Sequence, residues 1–213
     1  MGIKSVCRQI LFRTLGVVDR LRCDAGQSIL LTFDDGPHPE FTPAILDRLA
    51  RHDARAVFFA IGVPSERYPE VLRRVLSEGH EVGNHTFTHQ THPFLHVRSY
   101  LRDVSRCQEA LEAAIGSAPR LFRAPRGRVT FGSLFAPKLL GLRSIYWSVD
   151  PKDAQLRDAD EARRCGEQIA EVVRAGDVIL LHDDHPFVLP LLDVLLPRLV
   201  ERGFDLRRGK ELL

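Results

Sequence analysis

Short apolar runs alternate with helical periodicity along almost the whole chain, and this alternation constrains the fold more than any other feature. Seven segments have the length and composition of buried strands. They are Ser28–Phe33, Ala54–Ile61, His80–Gly83, Arg120–Arg123, Leu142–Val149, Val178–Leu181 and Phe204–Leu206. Such an order predicts an α/β domain with a mainly parallel sheet, either open or closed into a barrel.

Helical patterns fill most of the intervals between these runs. The predicted helices are 42–52, capped by Thr42, and Ser65–Ser77, Val97–Ile115, Phe131–Leu140, Asp158–Arg174 and Leu189–Arg202. The chain has 213 residues, of which 44% are hydrophobic and 27% charged, with no internal repeat or linker. These proportions are typical of one globular unit and exclude a disordered or coiled-coil protein.

Polar side chains recur where the predicted strands end. They are Asp34 and Asp35 after the first strand, His85 after the third, Arg123 on the fourth, Asp150 after the fifth and His182 after the sixth. The carboxyl ends of parallel strands converge on one face, where ligands bind. The sequence therefore predicts an active site at this edge of the sheet.

Two of these positions have the composition of a metal site with an adjacent base. In the pair Asp34-Asp35, one carboxylate can bind a cation while the other stays free to accept a proton. His85 and His89 are four residues apart, which one helical turn would place on the same side. With a carboxylate they form a His₂Asp set that leaves coordination positions open. The same spacing recurs in the later histidines at 92 and 96, which we interpret as a polar loop.

The remaining polar positions are suited to charge stabilisation and proton transfer. Arg123 can pair with a carboxylate and hold it ionised. The backbone N–H that follows Pro125 can point into the site as an oxyanion donor. His182 can act as a general acid if a carboxylate keeps it protonated, and either Asp150 or Asp153 can serve.

Together these motifs resemble the polysaccharide deacetylase family, that is, the NodB-homology domain of carbohydrate esterase family four. The motifs TFDDGP, HTFTH, RAPRG, the VDPKD region and LLHD occur in the family's order, and the resemblance runs from Ser28 to the C-terminus. It implies a distorted (β/α)7 barrel. It also implies a divalent metal, most commonly Zn²⁺, with Co²⁺, Mn²⁺ or Ni²⁺ as alternatives.

The resemblance also implies a role for each matched position. The metal ligands would be Asp35, His85 and His89. The base would be Asp34, held by Arg123, and the acid would be His182, supported by Asp150. The backbone N–H of Arg126 would stabilise the oxyanion. Two positions depart from the family pattern, since Arg126 replaces an aromatic residue and Ala154 replaces a tryptophan. These departures argue against a long chitin-like substrate more than against hydrolysis. The family does not require His185, which follows the last motif.

The expected function is a metal-dependent hydrolase that removes N-acetyl groups from N-acetylglucosamine-type sugars in oligo- or polysaccharides. Two alternatives stay open. One is a deacylase or deformylase of a lipid-linked amino sugar, and the other is a catalytically silent glycan-binding relative. Silent relatives typically lose the base, a metal ligand or the acid, whereas this chain keeps all of them.

Residues 1–27 form a basic N-terminal segment before the catalytic domain predicted at 28–213. Five basic side chains and one acidic side chain fall in residues 1–22, together with apolar residues at helical spacing. They predict an amphipathic helix, which either packs on the domain or lies on an anionic membrane surface.

Arg8 and Arg13 interrupt each candidate signal sequence, so we expect a cytoplasmic protein, with peripheral attachment at the inner membrane surface as the alternative. The net charge of +2 gives no reason to expect a nucleic-acid partner. The four cysteines, at 7, 23, 107 and 165, have no disulfide or zinc-ribbon spacing, and we expect reduced thiols. The oligomeric state stays open.

Overall fold

A parallel sheet forms the centre of the molecule. The computed structural model describes residues 16–22, 26–90 and 97–213. Within them the sheet has six strands: β1 Leu30–Asp34, β2 Ala56–Ala60, β3 Glu81–Asn84, β4 Leu121–Phe122, β5 Arg143–Ser144 and β6 Val178–His182. Their spatial order is β5-β4-β3-β2-β1-β6, and every pair is parallel. The parallel α/β class predicted from the sequence is confirmed.

Helices cover the outer face of this sheet. They are α1 Phe41–Arg51, α2 Gly62–Arg67, α3 Pro69–Ser77, α4 Val97–Ile115, α5 Phe131–Leu139, α6 Ala159–Val172 and α7 Val188–Glu201. Strands β1 and β2 are buried along their whole length, as expected for parallel strands that are covered on both faces. The core between sheet and helices includes Phe33 stacked on Phe58, with ring centroids 4.9 Å apart.

The sheet curls into a half-barrel, and its two edges approach each other. Past β5 the chain returns to β6, where the Val149 N–H donates to Val178 O at 3.1 Å and the Leu180 N–H donates to Val149 O at 3.0 Å. Residues 18–21 also lie in the gap between the two sheet edges. There the Val18 N–H donates to Ser144 O at 3.0 Å, and the Leu21 N–H donates to Gly176 O at 2.8 Å. Isolated bridges therefore join β5 to β6 where a further full strand would close the barrel.

The prediction of seven strands is wrong at two places. The run Leu142–Val149 contributes the two-residue strand β5 and then isolated bridges. The run Phe204–Leu206 makes a single bridge, between Asp205 and Ser28. Both runs are apolar enough to be buried, but a curled sheet gives them continuous partners for only one or two residues.

Two predicted helix boundaries also differ from the structure. Helix α1 has Glu40 at its N-cap, while the hydroxyl of Thr42 accepts from the His38 N–H at 2.9 Å and donates to Asp183. The predicted helix Ser65–Ser77 is divided into α2 and α3 at Tyr68. Pro69 explains the division, because proline lacks an N–H and is accommodated in the first turn of a new helix.

Residues 16–22 are not helical, so the amphipathic helix predicted over residues 1–22 is wrong for this part. Val17 and Leu21 are buried in the domain core, and Arg20 forms a 2.8 Å ion pair with Asp177. The rest of the predicted helix, residues 1–15, lies outside the described residues. Of the helices that the structure describes, none has the length and apolar character needed to cross a membrane.

Candidate metal centre and active site

The strand ends bring the predicted polar residues to one place. Asp34, the last residue of β1, is in register with His182, the last residue of β6. Asn84, the last residue of β3, is in register with Phe122, so the next residues, His85 and Arg123, emerge side by side. The predicted clustering at the carboxyl edge of the sheet is confirmed.

Asp35, His85 and His89 form a set of three potential metal ligands. Each offers a donor atom within 4.8 Å of the other two, and Oδ1 of Asp35 lies 3.3 Å from His85 Nε2 and 3.2 Å from His89 Nε2. This Asp35 oxygen is buried and accepts no hydrogen bond of normal geometry from the described residues. Two imidazoles, one carboxylate and open positions are a donor set that suits a catalytic divalent metal.

The titration behaviour of these three groups reflects their packing. Burial alone would raise the pKa of Asp35, but His85 and then His89 lower it to about 2. Burial lowers the pKa of His89, and the His85 ring adds to the effect. The carboxylates of Asp34 and Asp35 outweigh the burial of His85 and raise its pKa. A cation between these groups would take the place of the imidazole protons.

A contact behind the ligands fixes the orientation of His85. Its Nδ1 lies 2.9 Å from the backbone oxygen of Arg123. Because a carbonyl oxygen can only accept, Nδ1 carries a proton, and Nε2, which faces Asp35, is the nitrogen available to bind a metal. This is the arrangement in which histidine binds metal, with the second nitrogen held by an outer partner.

The segment that carries both histidines is a loop, so the helical turn predicted for His85 and His89 is wrong. Thr86 and His89 have left-handed backbones, with φ of 68° and 54°. Side chains hold this shape: the Thr86 N–H donates to Asn84 Oδ1 at 2.9 Å, and the His89 N–H donates to Thr86 Oγ1 at 3.1 Å. The loop brings the two imidazoles to a centroid separation of 5.1 Å.

Arg123 is fully buried and fixes Asp34. One terminal nitrogen donates to Asp34 Oδ1 and to Thr32 Oγ1, both at 2.7 Å. The other two guanidinium nitrogens donate to the backbone oxygens of Ile145 and Tyr146. Burial lowers the pKa of Arg123, and Asp34 opposes this effect. Oδ2 of Asp34 is left facing His85, 3.7 Å from Nε2, on the cavity side.

His182 has a different partner from the one that the resemblance implies. Its Nδ1 lies 2.8 Å from Oδ1 of Asp153, and its backbone N–H donates to Oδ2 of the same residue at 2.8 Å. Burial alone would lower the pKa of His182, but Asp153 raises it to about 9. Burial acts to raise the pKa of Asp153, but His182 and His185 lower it.

Asp150 contacts Lys152 and not His182, so the prediction that Asp150 supports the acid is wrong. Its Oδ1 accepts the backbone N–H of Lys152 at 3.0 Å, and its Oδ2 pairs with the Lys152 ammonium at 2.5 Å. Such a turn is typical of Asp two residues before the donor. Asp153, at the start of the next 3-10 turn, is the carboxylate that contacts the imidazole.

These groups line one cavity of about 280 Å³. Its lining includes Asp34, Asp35, His85, His89 and His182 on the floor, and Arg126, Trp147, Asp150, Lys152, Ala154 and Gln155 toward the mouth. Arg126 is exposed there with a left-handed backbone, φ 55°. A larger groove, about 410 Å³, lies over α2–α4 and contains none of the predicted site residues.

Three supporting residues were not predicted. Asn84 shapes the histidine loop, Thr32 accepts from Arg123, and His185 contacts Asp153. Buried Asp183 packs closely against Gly36, where a Cβ would overlap its carboxylate. A polar residue inside an apolar strand, as Thr32 is, was a signal that the sequence did offer.

Comparison with known proteins agrees with this geometry. The polysaccharide deacetylase family profile matches residues 22–145. The chitooligosaccharide deacetylase of Bradyrhizobium sp. (strain ANU 289) is 36% identical, over 84% of this chain and 88% of the relative. The chitooligosaccharide deacetylase of Sinorhizobium fredii (strain NBRC 101917 / NGR234) is 37% identical, over 84% and 89%.

Solved structures show the same fold. The Bc1960 peptidoglycan N-acetylglucosamine deacetylase has a TM-score of 0.82 and 28% identity, covering 96% of this chain and 93% of that one. A family 4 carbohydrate esterase from Streptomyces lividans, solved with acetate, has a TM-score of 0.73 and 29% identity, covering 83% and 90%. A family pseudoenzyme from Bacillus anthracis, BA3943, shares the fold at 23% identity.

The fold, the strand-end carboxylates and histidines, and these matches define a metal-dependent carbohydrate deacetylase that hydrolyses N-acetyl amide bonds. The chain belongs to the polysaccharide deacetylase family.

Proposed function

We propose that this enzyme removes acetyl groups from N-acetylglucosamine residues of chitooligosaccharide-type substrates, with Zn²⁺ at the Asp35–His85–His89 site. The main support for the proposal is that one cavity contains this ligand set together with Asp34 and His182. Relatives named as chitooligosaccharide deacetylases, about 36% identical over most of their length, support the choice of substrate.

An acetamide reacts slowly with water because the carbonyl is a weak electrophile and the amine is a poor leaving group. A divalent cation at the ligand set supplies Lewis acidity that polarises the carbonyl and lowers the pKa of water. Zinc suits the site because two imidazoles and one carboxylate, with open positions, are among its preferred catalytic donors.

Asp34 is the proposed base. Arg123 donates to its Oδ1 at 2.7 Å, while Oδ2 faces the cavity. That oxygen accepts a proton from the attacking water as the new carbon–oxygen bond forms. Because the Arg123 side chain donates four hydrogen bonds and lies against the rings of Phe59 and Trp147, the base is placed before substrate arrives.

His182 is the proposed acid on the opposite side of the cavity. Asp153 binds Nδ1, which leaves the Nε2 proton for the substrate nitrogen. As the carbon–nitrogen bond breaks, Nε2 transfers this proton to the departing amine, and the products are acetate and a free amino sugar. The high pKa of His182, about 9, keeps the acid protonated at neutral pH.

Arg126 and Trp147 are the proposed contacts for the sugar at the cavity mouth. The backbone N–H of Arg126 is proposed as an oxyanion donor, a role that does not depend on its side chain. Trp147 stacks on Tyr146 and lines the cavity, where Ala154 leaves space. A volume of about 280 Å³ is small for a ligand site, which favours one buried sugar residue.

Peptidoglycan is the second candidate substrate, favoured by the match to the Bc1960 deacetylase over 96% of this chain. The test is an acetate-release screen on metal-reconstituted protein with chitooligosaccharides, peptidoglycan fragments and lipid-linked N-acetyl or N-formyl amino sugars. We expect the fastest release from chitooligosaccharides, and release slowed by about 10² or more in the Asp34→Asn control. Faster release from peptidoglycan, or formate from a lipid-linked sugar, would replace the proposed substrate.

A further inference from the structure

A second histidine contacts the carboxylate that holds the proposed acid. His185 follows His182 by three residues, and its Nε2 lies 3.4 Å from Oδ2 of Asp153. His182 Nδ1 occupies the other oxygen, Oδ1, at 2.8 Å. Asp153 is fully buried, so two imidazoles draw on one negative charge that water does not screen.

We infer that His185 is a positioning residue for the acid: by sharing the charge of Asp153, it keeps His182 from holding its proton too tightly. Each donor to a carboxylate spreads its charge and weakens its attraction for the next donor. An acid that must release a proton to the leaving nitrogen reacts best when its affinity for that proton is moderate. His185 acts on the reaction through Asp153 and His182.

The surroundings of His185 support this assignment. Its side chain is only 18% exposed, so most of the imidazole is packed within the protein beside Asp153. The charged and titratable groups around the pair are Asp184 on the same loop, Asp153 on the 3-10 turn and Cys165 on α6 near Asp153. Asp34 at the end of β1 and Asp35 just after it interact with His182. Of these, Asp153 is the group within contact distance of both imidazoles.

A second metal site is the competing interpretation of this cluster. Across the described residues, Asp35, His85 and His89 form the one group of three donors within 4.8 Å of each other. The set Asp153, His182 and His185 does not meet that distance. The geometry therefore favours hydrogen bonding to Asp153 over metal binding.

The experiment compares two amides at position 185 in the metal-reconstituted full chain. Glutamine places its amide nitrogen near the position of histidine Nε2, whereas asparagine is too short to reach Asp153. His52→Asn is the matched control, because His52 follows the C-terminal end of α1, at the opposite end of the sheet from the site. The inference rests on His182 being the acid of the proposed function, so two readouts are needed. They are the pH dependence of kcat, and the NMR titration of the His182 imidazole, which needs no turnover.

In His185→Asn we expect His182 to titrate about half a pH unit to one unit higher than in wild type. We expect kcat to fall roughly threefold to tenfold, with KM unchanged. His185→Gln and His52→Asn should match wild type in both readouts. An unchanged or lower His182 titration in His185→Asn, or equal shifts in the asparagine and glutamine variants, would overturn the inference. If NMR shows the shift but no substrate is turned over, the proposed function fails, while the effect of His185 on the His182 proton stands.

Discussion

The two walls of the active-site cavity are built in different ways. On one wall, Asp34, Asp35 and His85 lie at or just after the ends of the central strands β1 and β3, and buried Arg123 contacts Asp34 and His85. On the other wall, His182 ends β6, but Asp153 lies on a short 3-10 turn beyond the two-residue strand β5. Strand ends position the base and the metal ligands, whereas a turn positions the partner of the acid.

This difference explains why one wall could be predicted and the other could not. Parallel strands place their carboxyl ends at one edge, so an apolar run that ends in Asp34-Asp35 is sufficient to locate the first wall. Asp150 and Asp153 both follow an irregular stretch. Their roles depend on a turn in which Asp150 accepts the Lys152 N–H, and the spacing alone does not distinguish the two.

Two other features depend on specific contacts that the apolar pattern of the sequence does not reveal. The left-handed backbones of Thr86 and His89 are stabilised by side-chain hydrogen bonds that strand and helix periodicity do not encode. The gap between β5 and β6 is bridged by residues 18–21, which helical spacing assigned to a helix. The burial of Val17 and Leu21 outweighed local helix propensity there.

The largest effect should come from the first wall. Asp34→Asn removes the proton acceptor while preserving shape, and kcat should fall by about 10² to 10⁴. Steady-state acetate release measures the change, and circular dichroism controls for folding. Activity within tenfold of wild type would show that another group takes the water proton.

Arg123 should determine the stability of the same wall. Arg123→Leu leaves the Asp34 carboxylate buried without its partner, which should cost about 3–5 kcal/mol in the free energy of unfolding. Urea denaturation of the metal-free protein measures the loss. Arg74→Leu, which breaks partly exposed ion pairs with Asp47 and Glu78, is the control and should cost about 1 kcal/mol or less. Equal losses in the two variants would contradict the role of Arg123 as the buried anchor.

The second wall can be tested with its two candidate carboxylates. Asp153→Asn removes the charge that binds His182 Nδ1 and should lower kcat roughly 10- to 100-fold. Asp150→Asn, at the position implied by the family resemblance, should lower it by about threefold or less. Parallel kinetic assays decide between them, and the reverse order of effects would restore Asp150 as the partner of the acid.

The smallest effect is a shift in pH dependence. His182 must be protonated to donate, and Asp153 raises its pKa to about 9, so kcat should fall as pH rises through about 9. In Asp153→Asn the burial of His182 is no longer offset, and the fall should begin at least one pH unit lower. A pH–rate profile of both proteins measures this, and superimposable profiles would exclude His182 as the titrating acid.

The central claim is that one wall binds metal and the other transfers the proton, and a paired comparison tests it most directly. Metal content and acetate release are measured on His89→Ala and His182→Ala, each reconstituted with Zn²⁺ and desalted. The account predicts that His89→Ala loses both the metal and the activity. His182→Ala should retain about one metal ion per chain while its activity falls by at least 10². Loss of metal in His182→Ala, or retention of metal and activity in His89→Ala, would contradict the account.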